Sequence, residues 1–348
     1  MRGPLRRAAA LSFVVACGLA ASRGSAQAAP EAFLLDAPGL RVLVPADLAA
    51  RPPRFPFPVG ERLEYAVSWF GVPAGRVAIE VARYLEAEGA RYAHVVATVR
   101  TNRAFSAVYE VDDRSEAWID LDRFVTVRTR AIENHGPKHF DESVRYDAAT
   151  HYLHAQLDKL HKRQRRDLVF DFGPFAYDTS DLVYLLRALP LAEGYAIGVP
   201  TYASHKVFEF RIEVGAPKTV SSKAFGALPA LAVRPSTRLD GKLYAGGEGV
   251  VWVSGPARVP VRLDGWIRTA ESSFLVQGLR AVLTRYVASA PGWAPVHEPV
   301  VEPITAIPPT QAGVPRWDPP QLVLEARAAS GVEPHDTKRS IPTEILPR

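Results

Sequence analysis

The chain has 348 residues, 42 Lys and Arg against 37 Asp and Glu, and a single cysteine. Four of the cations, Arg2, Arg6, Arg7 and Arg23, fall in the first 28 residues, which carry no acid, so the remainder holds 38 positive against 37 negative side chains. That balance argues against the clustered basic face that nucleic acid requires, and Cys17 alone cannot build a disulfide framework or a thiolate metal site.

Residues 1–28 have the layout of a secretory signal peptide. A basic head leads into an apolar run from Ala8 to Ala21 and then a short polar stretch ending in Ala26-Gln27-Ala28, with cleavage expected after Ala28. The mature chain is then free of thiols, and the expected location is the periplasm or the outer membrane. Val14-Val15-Ala16-Cys17 loosely resembles a lipoprotein box, a minority reading in which Cys17 is acylated. No later apolar run approaches the ~20 residues a transmembrane helix requires. Residues 29–54 read as an Ala- and Pro-rich leader arm, its end kept extended by Pro52, Pro53, Pro56 and Pro58.

From residue 55 to about 286 the pattern is that of strands. Large apolar residues alternate with small or polar ones in Leu63-Glu64-Tyr65-Ala66-Val67-Ser68-Trp69 and again at Val77, Ile79 and Val81. The clearest alternation is Phe208, Phe210, Ile212 and Val214 against Glu209, Arg211 and Glu213. Period two means one buried and one wet face, the mark of antiparallel sheet. Further strands are expected around 93–101, 106–119, 123–132, 141–147, 166–172, 217–225, 228–236, 248–254, 258–268 and 273–284, with Gly71, Gly89, Gly194, Gly215 and Gly226 near turns. One segment departs from this pattern. Asp178 is placed to cap a helix, Leu182, Leu185, Leu186 and Leu189 mark one helical face, and Pro190 ends it. Residues 287–348 hold 12 of the 30 prolines, too many for ladders or helices, and read as a disordered tail or a proline-rich ligand for an envelope partner.

Several blocks resemble one family. Gly60-Glu61-Arg62-Leu63-Glu64-Tyr65 followed by Trp69, Gly71 and Ala74-Gly75 resembles the opening of the DUF3108 family of exported bacterial proteins. Tyr109-Glu110-Val111-Asp112-Asp113, Asp178-Thr179-Ser180-Asp181-Leu182-Val183-Tyr184-Leu185-Leu186-Arg187, and Trp252-Val253-Ser254 with Arg258-Val259-Pro260-Val261 resemble its later blocks in order. Gly255-Pro256 stands where the family often carries acidic residues. The resemblance implies a β-rich envelope domain and brings no established activity.

The expected fold is mainly β: a large curved antiparallel sheet, an open or half barrel, with one covering α-helix. Arg187, beside the leucine face, and Arg258, in an otherwise apolar strand, need acidic partners if buried, and Asp112, Asp113 and Asp178 are the candidates for that clamp. In the alternative, Arg187 or Arg258 marks the polar end of an apolar cavity lined by Trp69, Leu182, Tyr184, Leu186 and Trp252, which would carry a lipid or acyl chain. Lys162, Arg163, Arg165 and Arg166 form the one dense basic run, which suits a solvated hairpin tip or an anionic membrane surface. Adjacent Asp112 and Asp113 point to opposite strand faces, which argues against a shared catalytic site with Glu116. A Ser180–His205 triad lacks the G-x-S-x-G elbow, and His135, His139, His151 and His154 lack a metal signature. No catalytic group, metal or cofactor is expected. The leading function is carriage of an apolar ligand, with an assembly role through the sheet surface and tail as the alternative.

Overall fold

The computed structural model describes residues 40–293, apart from 50–52, 54, 88, 108, 148–149, 173–176, 180, 204, 240–241, 244–246, 255–257 and 269–274, together with Glu344–Ile345. Residues 1–28, expected to be a signal peptide, with Cys17 among them, Ser180, Gly255-Pro256 and most of the proline-rich tail lie outside the described residues.

The alternating sequence becomes a succession of strands. β1 (Arg41–Val42) and helix α1 (Pro45–Ala49) precede β2 (Arg62–Trp69), β3 (Val72–Ala87) and β4 (Ala90–Thr101). Helix α2 (Arg103–Ser106) leads to β5 (Asp112–Asp120), β6 (Thr126–His135), β7 (Lys138–Asp147), β8 (Tyr152–Lys159) and β9 (Gln164–Asp171). After β10 (Tyr177–Asp178) and helix α3 (Leu182–Ala188) come β11 (Ala196–Ala203), β12 (Lys206–Ser222), β13 (Gly226–Leu239) and β14 (Lys242–Leu243). β15 (Gly247–Ser254), β16 (Pro260–Arg268), β17 (Leu275–Val287) and β18 (Glu344–Ile345) complete the described elements.

Each strand from β2 to β9 pairs antiparallel with the next. On the other side of β2 lie β17, β16, β15, β13, β12 and β11 in that order. β10 adds a parallel pairing, on β11. The result is a single long sheet, and among the described residues no ladder joins β9 back to β11 to close it.

Register shifts bend the sheet at Val67/Ser68, Val81/Arg83, Gly215/Pro217 and Leu283/Arg285, since an extra residue on one strand kinks and twists it. Gly215, expected to turn the chain, instead sits inside β12 at such a bulge. The ends of the rolled sheet overlap. On β11, Thr201 is fully buried on the main core side, and Tyr202, on the opposite face, joins a second cluster with Val144, Tyr146, Leu153, Ala155 and Phe172. Strands β7–β9 therefore lap over the outer face of β11. The Tyr202 hydroxyl fastens the overlap by donating to Glu142 at 2.6 Å.

The open, curved antiparallel sheet agrees with expectation, and Phe208, Phe210, Ile212 and Val214 all point into the core. The helix count differs: three short α-helices are described, although only α3 is buried along its whole length. β8 and β11 were not anticipated, and the stretch before Asp112 holds α2 rather than strand.

Candidate functional site

The directions of the strands define two ends of the barrel. α3 plugs the end at which β6, β11 and β16 begin. All seven of its residues are buried, so the helix has no wet face. The other side, expected to face solvent, is covered by Phe55 and Phe57, whose rings lie 5.3 and 5.0 Å from Tyr184. These two aromatics come from the segment before β2, which is packed into the core at 0% and 5% exposure.

A helix with an arginine in this setting needs a counter-charge. Glu61 provides it through two contacts with Arg187, Nη1 to Oε2 at 2.7 Å and Nη2 to Oε1 at 2.6 Å. The Arg187 Nε donates to the Arg258 carbonyl at 3.0 Å, and its guanidinium lies 4.2 Å from the Phe57 ring centre. The Tyr286 hydroxyl donates to Glu61 Oε1 at 3.0 Å. Burial alone would lower the Arg187 pKa, but the charge and hydrogen bonds of Glu61, together with Tyr184 and Tyr286, raise it. The clamp exists, then, but its acid is Glu61 and not Asp112, Asp113 or Asp178. Arg258 takes a left-handed backbone (φ 48) and donates to the Leu189 carbonyl at 3.3 Å, so it supports the end of α3.

The three aspartates have separate roles. Asp112 is exposed and pairs with Arg100 at 2.7 Å. Asp113 points the other way, is 1% exposed, and accepts from the Asn134 amide at 2.8 Å while lying 2.9 Å from His135 Nε2. Asp178 does not cap α3. It accepts from the Tyr146 hydroxyl at 3.3 Å, and Asp181 occupies the N-cap position without a side-chain cap bond. Asp181 accepts from the Thr126 hydroxyl. Burial first, and the nearby Asp178 charge second, push its pKa well above the usual carboxylate range.

Between α3 and the sheet lies a cavity of about 20 Å³ lined by Tyr65, Val77, Ile79, Val183, Val251, Pro260, Arg262, Leu263 and Ala281. It has room for about one water molecule and none for an acyl chain. Leu182, Tyr184, Leu186 and Arg187, expected to line or border a ligand site, are all buried in the packing around α3. Trp252 donates its indole N–H to Asp264 at 2.9 Å, and half-buried Trp69 lies edge-on to Phe70 at the far end of β2.

Toward that far end the core changes character. Val67, Ala97, Val99 and Leu279 pack on the main cluster yet are only partly buried. Inward positions there are also small. Gly249 faces Gly265 across β15 and β16, and Ala97, Ser115 and Ala131 follow one another across β4, β5 and β6. A Cβ added at Gly249 would meet only ordinary contacts, Pro235 Cγ at 3.7 Å and the Asp264 carbonyl at 3.8 Å. The barrel is thus packed and plugged at the α3 end, and thinner-walled in side chain at the other.

Polar groups border that second end. The His135–Asp113 pair, Glu133, Glu142 and His205 lie on β5–β7 and the β11–β12 turn, with His205 Nδ1 at 2.8 Å from Glu142. Burial, then the Asp113 charge, pushes the Glu133 pKa up to about 7. Burial would lower His135, but its hydrogen bond and charge interaction with Asp113 outweigh this and raise it. Among the described residues no group of three or more His, Cys, Asp or Glu is arranged to hold a metal. Of the basic run, Lys162 and Arg163 are exposed at the β8–β9 turn, Arg166 is exposed on β9, and Arg165 is tied to Asp158 at 2.7 Å. Among the described residues no helix is long and apolar enough to cross a membrane.

The family model of DUF3108, a protein family of unknown function, matches residues 64–269. No curated protein matches the chain. Among solved structures, a beta-barrel-like protein of the domain of unknown function DUF1849 from Brucella abortus is similar at 10% identity and a TM-score of 0.42, covering 66% of this chain and 98% of that one. A candidate exported protein with a YmcC-like fold from Bacteroides fragilis is similar at 12% identity and a TM-score of 0.29, over 66% of this chain and 98% of its own. A candidate lipoprotein from Parabacteroides distasonis is similar at 11% identity and a TM-score of 0.27, over 68% and 98%.

Proposed function

The chain belongs to the DUF3108 family, and we propose that it is an exported envelope protein, in the periplasm or at the outer membrane, that binds an apolar ligand such as an acyl chain in the end of its barrel opposite α3. The supporting observation is the asymmetry of the core. One end is filled by α3, Phe55 and Phe57, and the other combines partly exposed Val67, Ala97, Val99 and Leu279 with the facing pair Gly249 and Gly265. Apolar positions left partly uncovered inside a curved sheet favour a ligand that covers them. In this reading α3 is the floor of the site and not a lid, and the proline-rich tail is a separate contact for an envelope partner.

Uptake of cis-parinaric acid, followed by its fluorescence, tests the reading together with native mass spectrometry of the gently purified protein. The native chain is expected to take up the probe or to carry a lipid-sized adduct. Gly249→Leu fills the hollow without backbone conflict and is expected to abolish uptake while the protein stays folded by circular dichroism. A native chain with polypeptide mass alone and no probe uptake overturns the reading in favour of an assembly role.

A further inference from the structure

We propose that the rim at which β2, β4, β6 and β8 end docks on an anionic lipid bilayer. The four connections at this rim carry two kinds of exposed side chain. The first is apolar. β2 and β3 are joined by Phe70 and Gly71, both in the left-handed region (φ 47 and 82). Such two-residue turns favour Asn-Gly, because a bulky L-residue at positive φ is strained. Here the strained position holds a phenylalanine that is 45% exposed, followed by Val72 at 58%. Strain retained to present an aromatic ring to solvent points to a use for the ring outside the fold.

The turn is held rigidly. The Phe70 amide donates to the Gly278 carbonyl at 2.8 Å, and the Asn102 side-chain amide donates to the Pro73 carbonyl at 2.7 Å. Asn102 also caps α2 by accepting from the Phe105 amide at 2.8 Å, so the helix braces the root of the turn. Trp69 backs the tip, 5.1 Å from the Phe70 ring.

The second kind is cationic. Arg103 on α2, Lys138 after the β6–β7 turn, and Lys162 and Arg163 at the β8–β9 turn are all exposed on this rim. Leu160 beside them is 49% exposed. Of the acids near the rim, Asp112 is matched by Arg100 and Asp158 by Arg165, and Glu110 lies half-buried in the β4–β5 connection. Aromatic and aliphatic tips suit the headgroup–acyl boundary, and the surrounding cations suit lipid phosphates. This proposal does not rest on ligand binding in the barrel, since an empty barrel would present the same rim.

Co-sedimentation of the full chain with vesicles tests it, using phosphatidylglycerol/phosphatidylethanolamine mixtures against pure phosphatidylcholine. Every variant keeps the same residues 1–28, so any contribution of that segment is common to all. The native chain is expected to bind the anionic vesicles, less so in high salt. Phe70→Ser with Val72→Ser is expected to weaken binding ~10-fold or more. Lys162→Ala with Arg163→Ala is expected to weaken it ~5-fold per removed cation on anionic vesicles and not on neutral ones. These are surface positions, and unchanged circular dichroism separates lost binding from lost folding. Absence of binding to anionic vesicles, or equal binding by the Phe70/Val72 variant, overturns the proposal and leaves the tip as a contact for another protein.

Discussion

The buried Glu61–Arg187 pair permits a sharp test of how α3 is held. Glu61→Leu leaves the Arg187 guanidinium without its acid in a site where it is 2% exposed. Breaking one side of such a pair typically costs ~3–5 kcal/mol, because the remaining charge stays desolvated. Arg187→Met should cost a similar amount for the converse reason. The double variant removes both charges. What it leaves behind are the Tyr286 hydroxyl and the Arg258 carbonyl, which lose their partners at 3.0 Å each. At ~1–3 kcal/mol for each such unsatisfied group, the double variant should lose well under the sum of the two single losses. Urea unfolding followed by circular dichroism measures all four proteins. Each single variant should also melt ~6–20 °C lower, at the few degrees per kcal/mol expected for a domain of this size. Single losses that simply add, or either single loss below ~1 kcal/mol, would refute a desolvated, coupled pair.

Two further predictions concern the sheet. The folded-state pKa of Glu133, about 7, lies above the ordinary 4.5, so the native state holds this proton more tightly. Its stabilising contribution is complete below pH 4.5 and is lost as pH rises through 7. Glu133→Gln should therefore gain ~1–3 kcal/mol at pH 8 and little at pH 4; an equal gain at both would show that the carboxylate is not perturbed. Gly75→Ala would put its Cβ 2.2 Å from the Arg100 carbonyl oxygen, forcing β3 from β4, and should cost ~1–3 kcal/mol in urea unfolding. Gly89→Ala meets nothing within 4 Å and should lose only the ~1 kcal/mol of left-handed strain; a larger loss there than at Gly75 would contradict the packing.

The sheet was legible in the sequence because one face of most strands is wet, so period-two alternation survives. β11 was not, because the overlap of the rolled sheet buries both Thr201 and Tyr202 and erases the alternation. Gly215 read as a turn because glycine marks turns and bulges alike. The need for an acid beside Arg187 was also legible, but its identity was not. Glu61 lies 126 residues away along the chain, and only the folding of the segment before β2 over α3 brings the two together. The leucine face identified α3, but not its enclosure on all sides, which leaves a cavity of only about 20 Å³ beneath it. The small inward positions at the other end, Gly249, Gly265, Ala97 and Ala131, carry no chemical signature in a linear reading.

The most direct measurement is photoaffinity mapping with a long-chain fatty acid bearing a diazirine on its acyl tail. Labelled peptides should come from β2, β4 and β17, around Val67, Ala97, Val99 and Leu279. Labels on Leu182–Ala188 would place the ligand under α3 and contradict the account, as would the absence of labelling above that of an unfolded control.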